Sequence, residues 1–175
     1  MNKRIVTQVD RAAHTSLFVY AASALALPIC LVQMSADLNF NLTQAGTLGF
    51  ILSMEQFVVL ILSVFMAARF GKIRLLRLAM LVLAVGLFAF NLSRSYLMAV
   101  ALILLIGAGN GFLEALLSPL IEDVHPDDDG KYQNKLHSYW PLGVLVSTLI
   151  IGEFLSWGGS WRTVFIGLSL LVVTG

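Results

Sequence analysis

The sequence predicts an all-α membrane protein, a polytopic bundle of six transmembrane helices. Of its 175 residues, 58% are hydrophobic and only 12% are charged, whereas about 25% of the residues in a soluble domain are charged. The apolar residues come in runs of roughly 18 to 25, the length that crosses a hydrocarbon core about 30 Å thick. A single cysteine, Cys30, excludes an intrachain disulfide and a cysteine-based metal site. These observations indicate an integral membrane protein.

A short polar segment precedes the six predicted spans. Residues 1–14 form this segment, and residues 15–175 form the transmembrane bundle. The apolar spans run approximately over residues 17–34, 44–68, 75–90, 97–121, 134–157 and from 161 onwards. The predicted connections are two turns at 37–43 and 91–96, a basic link at 69–74, a charged loop at 122–133 and a glycine turn at 158–160. The sixth span offers about fifteen residues, too few to cross a bilayer comfortably, so we expect it to continue in a longer protein.

The distribution of lysine and arginine predicts the orientation of the bundle. Nine of these residues fall at the N-terminal segment (three), the link between spans two and three (four) and the loop between spans four and five (two). The other three connections carry two, Arg94 and Arg162. By the positive-inside rule, the N-terminus and the two larger connections are cytoplasmic. We therefore expect a protein of the plasma (inner) membrane.

The fourth span carries a small and polar stripe in otherwise apolar surroundings. At helical spacing, the stripe consists of Gly107, Asn110, Gly111, Glu114 and Ser118. Such a stripe is expected to face protein or a cavity, and an ionisable residue inside a span is a functional-site hypothesis by default. Glu114 is therefore a candidate proton or substrate site. The alternative is a structural carboxyl that is protonated and hydrogen-bonded to a neighbouring helix.

Polar residues in the second and fifth spans are weaker candidates. Glu55 lies beside a small and polar stripe that includes Gln56, and it faces either a cavity or a neighbouring helix. His137 is either an interfacial histidine or a cavity residue. Glu153 lies near the outer end of its span, where it could meet Arg162, so a structural role is favoured.

The sequence has no catalytic triad, no cluster of metal ligands and no phosphate-binding loop. Gly107, Gly109 and Gly111 superficially resemble a dinucleotide-binding loop, but that loop requires a preceding strand in a soluble βαβ unit. Inside an apolar span, these glycines instead predict close helix packing. We expect no enzymatic activity, no cofactor, no metal ion and no nucleic-acid partner.

The order of spans and links resembles the N-terminal half of a major facilitator superfamily transporter. The superfamily's inner-loop motif is Gly-x-x-x-Asp-Arg-x-Gly-Arg-Arg, to which residues 64–73 are similar. Arg69, Gly71 and Lys72 match this motif, whereas a valine and an alanine replace its first glycine and its aspartate. The resemblance implies that Arg69, Gly71 and Lys72 form a gating loop.

The centre of the chain resembles the fucose–proton symporter branch of that superfamily. There, a glycine-rich fourth helix carries Leu-Glu and a later proline, a loop with Pro and Gly follows, and the fifth helix opens on Asn and reaches a Gly. The matching residues here are Leu113, Glu114, Pro119, Pro126, Gly130, Asn134 and Gly143, with Gln44-Ala45-Gly46 at the second helix.

The chain also departs from this branch. Ser118 replaces the asparagine before the helix-four proline, and Ala24 stands where the first helix would carry an acid. His137 and Trp140 replace a glutamine and an asparagine. The resemblance therefore does not imply fucose as the substrate, and of two coupling carboxylates only Glu114 carries over.

The resemblance implies a secondary active transporter that takes up a sugar or another small polar solute with protons. Glu114 is then the proton acceptor, and Trp140 stacks on the sugar ring. The residues expected at the proton site and the cavity are Glu114, Asn110, His137, Trp140, Glu55 and Gln56. The expected partners are the lipid bilayer, the solute, protons and a C-terminal half. The alternatives are an exporter or antiporter of drugs or metabolites with the same fold, and a non-transporting six-span membrane protein.

Overall fold

The computed structural model describes residues 3–127 and 129–174, and this part of the chain is helical apart from short connections. The helices are α1 (Lys3–Asp37), α2 (Leu42–Phe70), α3 (Lys72–Phe90), α4 (Tyr96–Val124), α5 (Lys131–Ser156) and α6 (Trp161–Thr174). No strand occurs among the described residues. The predicted all-α fold is confirmed.

Five of the six helices, α1 to α5, are long and apolar enough to cross a membrane. The sixth, α6, is apolar but has 14 residues. At a rise of 1.5 Å per residue its length is about 21 Å, less than the roughly 30 Å of a hydrocarbon core. The structure is thus consistent with a membrane helical bundle, and a sixth crossing stays a prediction.

The first helix begins earlier than the sequence suggested. The first apolar span was predicted from residue 17, after a cytoplasmic segment over residues 1–14, whereas α1 runs without a break from Lys3. The part of α1 up to His14 contacts the α4–α5 connection and α5 itself. Asp10 bonds to His125 over 2.8 Å, and the His14 ring stacks on Tyr139 with 4.5 Å between centroids. These contacts extend the helix past the apolar span.

A single residue, Gly71, connects α2 to α3. The basic link expected at 69–74 is therefore almost entirely helical. The Gly71 N–H donates to the Ala67 carbonyl over 2.9 Å and closes α2. Its φ of 84° and ψ of 141° lie in a region that residues with a side chain rarely adopt. The glycine therefore allows the chain to reverse without a loop.

Helix α4 lies at the centre of the contacts within the bundle. It packs most extensively on α3 and α2, while α1 packs mainly on α5. A Cβ on Gly111 would lie 2.8 Å from the Cβ of Val59 in α2, and one on Gly109 would lie 3.0 Å from the Ala79 carbonyl oxygen in α3. The expectation that the glycines of α4 permit close helix packing is confirmed.

The turns α1–α2, α3–α4 and α5–α6 meet at one end of the bundle, here called the short-turn end. There the guanidinium of Arg162 donates to the Asp37 carboxylate and to the Ser93 carbonyl, the latter over 2.8 Å. It also lies 4.2 Å from the centroid of the Trp161 ring. The Trp161 indole N–H donates to Asp37 over 2.9 Å. This cluster joins all three turns.

The expected pair between Glu153 and Arg162 is wrong, because Arg162 bonds to Asp37 instead. Asp37 ends α1, and Arg162 begins α6. Both residues therefore lie at the same level of the bundle. Glu153 lies in the last turn of α5 with an exposed side chain.

We predict that Arg162→Ala lowers the free energy of unfolding by about 1 kcal/mol. The ion pair with Asp37 is partly exposed and contributes roughly 0–1 kcal/mol, and the partly buried hydrogen bond to the Ser93 carbonyl adds to it. Denaturant titration of the purified chain in mixed micelles measures this change. Arg94→Ala removes an exposed arginine from the α3–α4 turn and serves as the control. Equal stability of the two variants would contradict a stabilising role of the Arg162 cluster.

Candidate functional site

Polar side chains from four helices meet on one side of the bundle, midway along the helices. We call this surface the polar face. It comprises Gln56 of α2, Glu114 of α4, His137 and Trp140 of α5, and Tyr20 of α1 beneath them. Four of these five residues were predicted site residues. Their convergence makes this surface the candidate functional site.

Glu114 is the centre of the polar face. Its side chain is exposed, yet one of its carboxylate oxygens, Oε2, accepts two hydrogen bonds. The Tyr20 hydroxyl donates to it over 2.9 Å, and the Gln56 amide donates to it over 2.5 Å. The Gln56 amide also donates to the Tyr20 hydroxyl oxygen over 2.5 Å. Three helices therefore hold one carboxylate.

The close approach of α2 and α4 explains how Gln56 reaches Glu114. A Cβ on Gly111 would lie 3.0 Å from the backbone carbonyl oxygen of Gln56. Gly111 and Glu114 are three residues apart and share one side of α4. The missing side chain at Gly111 thus lets the backbone of α2 approach until Gln56 stands beside the carboxylate.

Trp140 is connected to Glu114 through Tyr20. The rings of Tyr20 and Trp140 have centroids 4.5 Å apart and planes inclined by 56°. Tyr20 is only 4% exposed, whereas Trp140 is partly exposed. The buried tyrosine therefore contacts the carboxylate with its hydroxyl and the indole with its ring.

His137 lies one helical turn from Trp140 on α5 and is exposed. Its Nε2 lies 3.1 Å from the hydroxyl of Ser118, a residue one turn beyond Glu114 on the predicted stripe of α4. The Gln133 amide donates to the Ser118 carbonyl over 2.8 Å. These contacts join α5 to α4 beside the carboxylate.

Asn110 lies behind the polar face, although it was expected to line the cavity. It is fully buried, and its Oδ1 lies 2.8 Å from the Ser23 hydroxyl of α1. Its amide nitrogen has no hydrogen-bond partner among the residues that the structure describes. Asn110 thus joins α4 to α1 one turn from Glu114.

Glu55 lies in the contact between α2 and α4, where a Cβ on Gly107 would collide with its carboxylate. The two alternatives for this residue were a cavity and a helix contact, and the structure places it in the helix contact. Its buried Oε2 has no hydrogen-bond partner in the described part of the chain. Gly107 precedes Glu114 by seven residues, or roughly 10 Å at helical rise.

The predicted gating residues lie outside the polar face, towards the end of the bundle where α1 begins. The Lys72 ammonium donates to the Asp123 carboxylate over 2.7 Å and to the Pro119 carbonyl over 3.0 Å. Arg69 lies over the Phe70 ring, 5.5 Å from its centroid. Lys72 therefore connects the α2–α3 junction to the end of α4, with Gly71 as the pivot between the two helices.

The sequence reasoning missed Tyr20. Its phenol lies inside an apolar span, one helical turn before Ala24. A hydrogen-bonding side chain in that span was the signal that could have identified it. The structure shows that this hydroxyl, rather than a second carboxylate, faces Glu114.

Comparison with known proteins agrees with the helical architecture. No curated protein matches the sequence. The sequence model of the Major Facilitator Superfamily matches residues 13–175, nearly the whole chain. With its five membrane-length helices, the chain belongs to the major facilitator superfamily.

Proposed function

We propose that this chain forms one half of a secondary active transporter that takes up a sugar or similar small polar solute together with protons. Membership of the superfamily supports a secondary transporter in general. The observation that supports proton coupling is the position of Glu114, an exposed carboxylate in the middle of a membrane-length helix. Charged groups at that depth mark ion and substrate pathways.

The composition of the polar face favours a small polar solute. Trp140 offers a partly exposed aromatic ring. Such a ring is a large apolar surface, against which the C–H face of a sugar can pack. Gln56, His137 and Glu114 offer hydrogen-bonding groups beside that ring. A mixture of an apolar platform and a few polar groups is typical of small-molecule sites.

The polar face is open, which supports a second wall supplied by a C-terminal half. Glu114 and His137 are both exposed, and neither would be stable against lipid tails. Transporters of this kind bind substrate near the midplane between two repeats that rock against each other. We therefore place the solute and the protons between the polar face and a second helical unit within the bilayer.

The charge distribution supports a cytoplasmic N-terminus in the plasma membrane. The end of the bundle with the start of α1, Gly71 and the α4–α5 connection carries nine of the eleven lysines and arginines. Positively charged connections favour the cytoplasmic side. Lys72, Gly71 and Arg69 would then control opening towards the cytoplasm.

We predict that Glu114→Gln keeps solute binding and exchange but abolishes proton-driven accumulation. Glutamine preserves the shape and hydrogen bonding of a protonated carboxyl, but it cannot titrate. Glu114→Ala should impair both activities, because it also removes the acceptor for Tyr20 and Gln56. Uptake and counterflow of radiolabelled monosaccharides into vesicles containing the complete transporter measure the two activities.

The control for that experiment is Glu122→Gln, which removes an exposed carboxylate at the end of α4. If Glu114→Gln concentrates solute as well as the parent does, Glu114 is structural and proton coupling occurs elsewhere. Proton-driven efflux in place of uptake would favour the exporter. A complete protein that transports nothing would favour the non-transporting membrane protein.

We predict that Gly71→Leu slows exchange between inward and outward states with little change in solute affinity. A side chain at φ 84° costs about 1–3 kcal/mol, and Gly71 lies away from the polar face. Exchange rate and equilibrium binding are measured separately, with Gly46→Ala as the control because a Cβ at Gly46 meets open space. Loss of equilibrium binding in a folded Gly71→Leu protein would contradict the gating role.

A further inference from the structure

We propose that Tyr20 is the positioning residue that transmits the protonation state of Glu114 to the Trp140 ring. This inference rests on the proposed function, in which Glu114 takes the proton and Trp140 contacts the solute. It adds a residue that neither the residue pattern nor the family match assigns. The contacts of Tyr20 with both groups carry the inference.

The hydroxyl of Tyr20 is hydrogen-bonded to Glu114 and to Gln56, and of these two groups only Glu114 can change its charge. It donates to Glu114 over 2.9 Å and accepts from Gln56 over 2.5 Å. Hydrogen bonds to an ionised carboxylate are roughly twice as strong as bonds between neutral groups. Protonation of Glu114 therefore weakens the bond that holds the Tyr20 hydroxyl.

The ring of Tyr20 is enclosed by protein and packs against Trp140. Tyr20 is 4% exposed, and its backbone neighbours Val19 and Ala21 are both fully buried. Its ring centroid lies 4.5 Å from that of Trp140. A shift of the Tyr20 ring therefore changes the surroundings of the Trp140 indole. When the hydrogen bond of the Tyr20 hydroxyl weakens, the change reaches the ring that contacts the solute.

Other titratable groups surround this path. On α5, His137 bonds to Ser118 and lies near Glu114. On α2, Glu55 faces Gly107 in the helix contact. On α1, His14 stacks on Tyr139, where Lys135 and Asp10 are also near. Of the titratable side chains on the described helices around this path, Glu114 is the one that forms a hydrogen bond with Tyr20. Glu114 is therefore the group whose protonation Tyr20 transmits.

The test uses the complete transporter in lipid nanodiscs, labelled with 5-fluorotryptophan, and needs no solute. The chain has three tryptophans, and Trp140→Phe identifies the resonance of Trp140. We expect its fluorine shift to move between acidic and mildly alkaline pH in the parent. The movement should be lost in Glu114→Gln and in Tyr20→Phe, since phenylalanine keeps the ring but removes the hydroxyl.

Two control variants separate Tyr20 from its neighbours. Glu55→Gln removes the other carboxylate at the contact between α2 and α4, and His137→Gln removes the histidine one turn from Trp140 on α5; both should retain the movement. Persistence of the full movement in Tyr20→Phe, or its absence from the parent, would overturn the inference. So would a movement that survives Glu114→Gln and disappears in His137→Gln.

The outcome is distinguishable from a failure of the proposed function. Proton-driven accumulation depends on Glu114 in either case, and the vesicle experiment measures it without reference to Trp140. If accumulation requires Glu114 while Tyr20→Phe leaves the fluorine titration intact, only the role of Tyr20 is wrong. If Tyr20→Phe unfolds, Tyr20→3-fluorotyrosine replaces it, because this residue keeps the ring and has a more acidic hydroxyl. The inference then requires that this variant shifts the pH midpoint at which the Trp140 resonance moves.

Discussion

A carboxylate in the middle of a membrane-length helix must have partners or water, and the arrangement of this bundle depends on that requirement. Glu114 receives hydrogen bonds from α1 and α2 on one side and is exposed on the other. The first feature brings three helices together around one oxygen atom. The second requires an aqueous space, because an exposed carboxylate facing lipid tails is strongly disfavoured.

The remaining contacts form a frame that keeps this centre in place. At the short-turn end, Arg162 joins three turns through Asp37 and Ser93. At the other end, Lys72 joins the α2–α3 junction to α4, and Asp10 joins α1 to His125. Between the two ends, the glycines of α4 bring α2 close. The polar contacts thus fix both ends, and the small residues fix the middle.

Much of the frame could be predicted from sequence because it depends on patterns within single helices. The α4 stripe that contains Gly111 and Glu114 was visible at helical spacing, and the structure turns it towards α1, α2 and α5. Five spans were visible as apolar runs. The start of α1 was missed because the polar turns before His14 are stabilised by α4 and α5, which the local sequence does not reveal.

The arrangement between helices was harder to predict. Asn110 lies on the same stripe as Glu114, yet a small rotation around α4 decides that the former is buried against Ser23 and the latter is exposed. Tyr20 was missed because its role depends on which side of α1 meets α4. Arg162 lay within reach of two acids, and only the packing of α6 on α1 selects Asp37.

The claim that the polar face borders water rather than lipid can be measured directly by thiol accessibility. Because a thiol must ionise to react, a water-soluble maleimide should label His137→Cys in membranes containing the complete transporter. It should not label Val85→Cys, which is also an exposed position, on α3, and the native Cys30 is buried and serves as an unreactive background. Labelling of His137→Cys alone is the result that this account predicts. Failure to label His137→Cys in a folded, correctly inserted protein would contradict it.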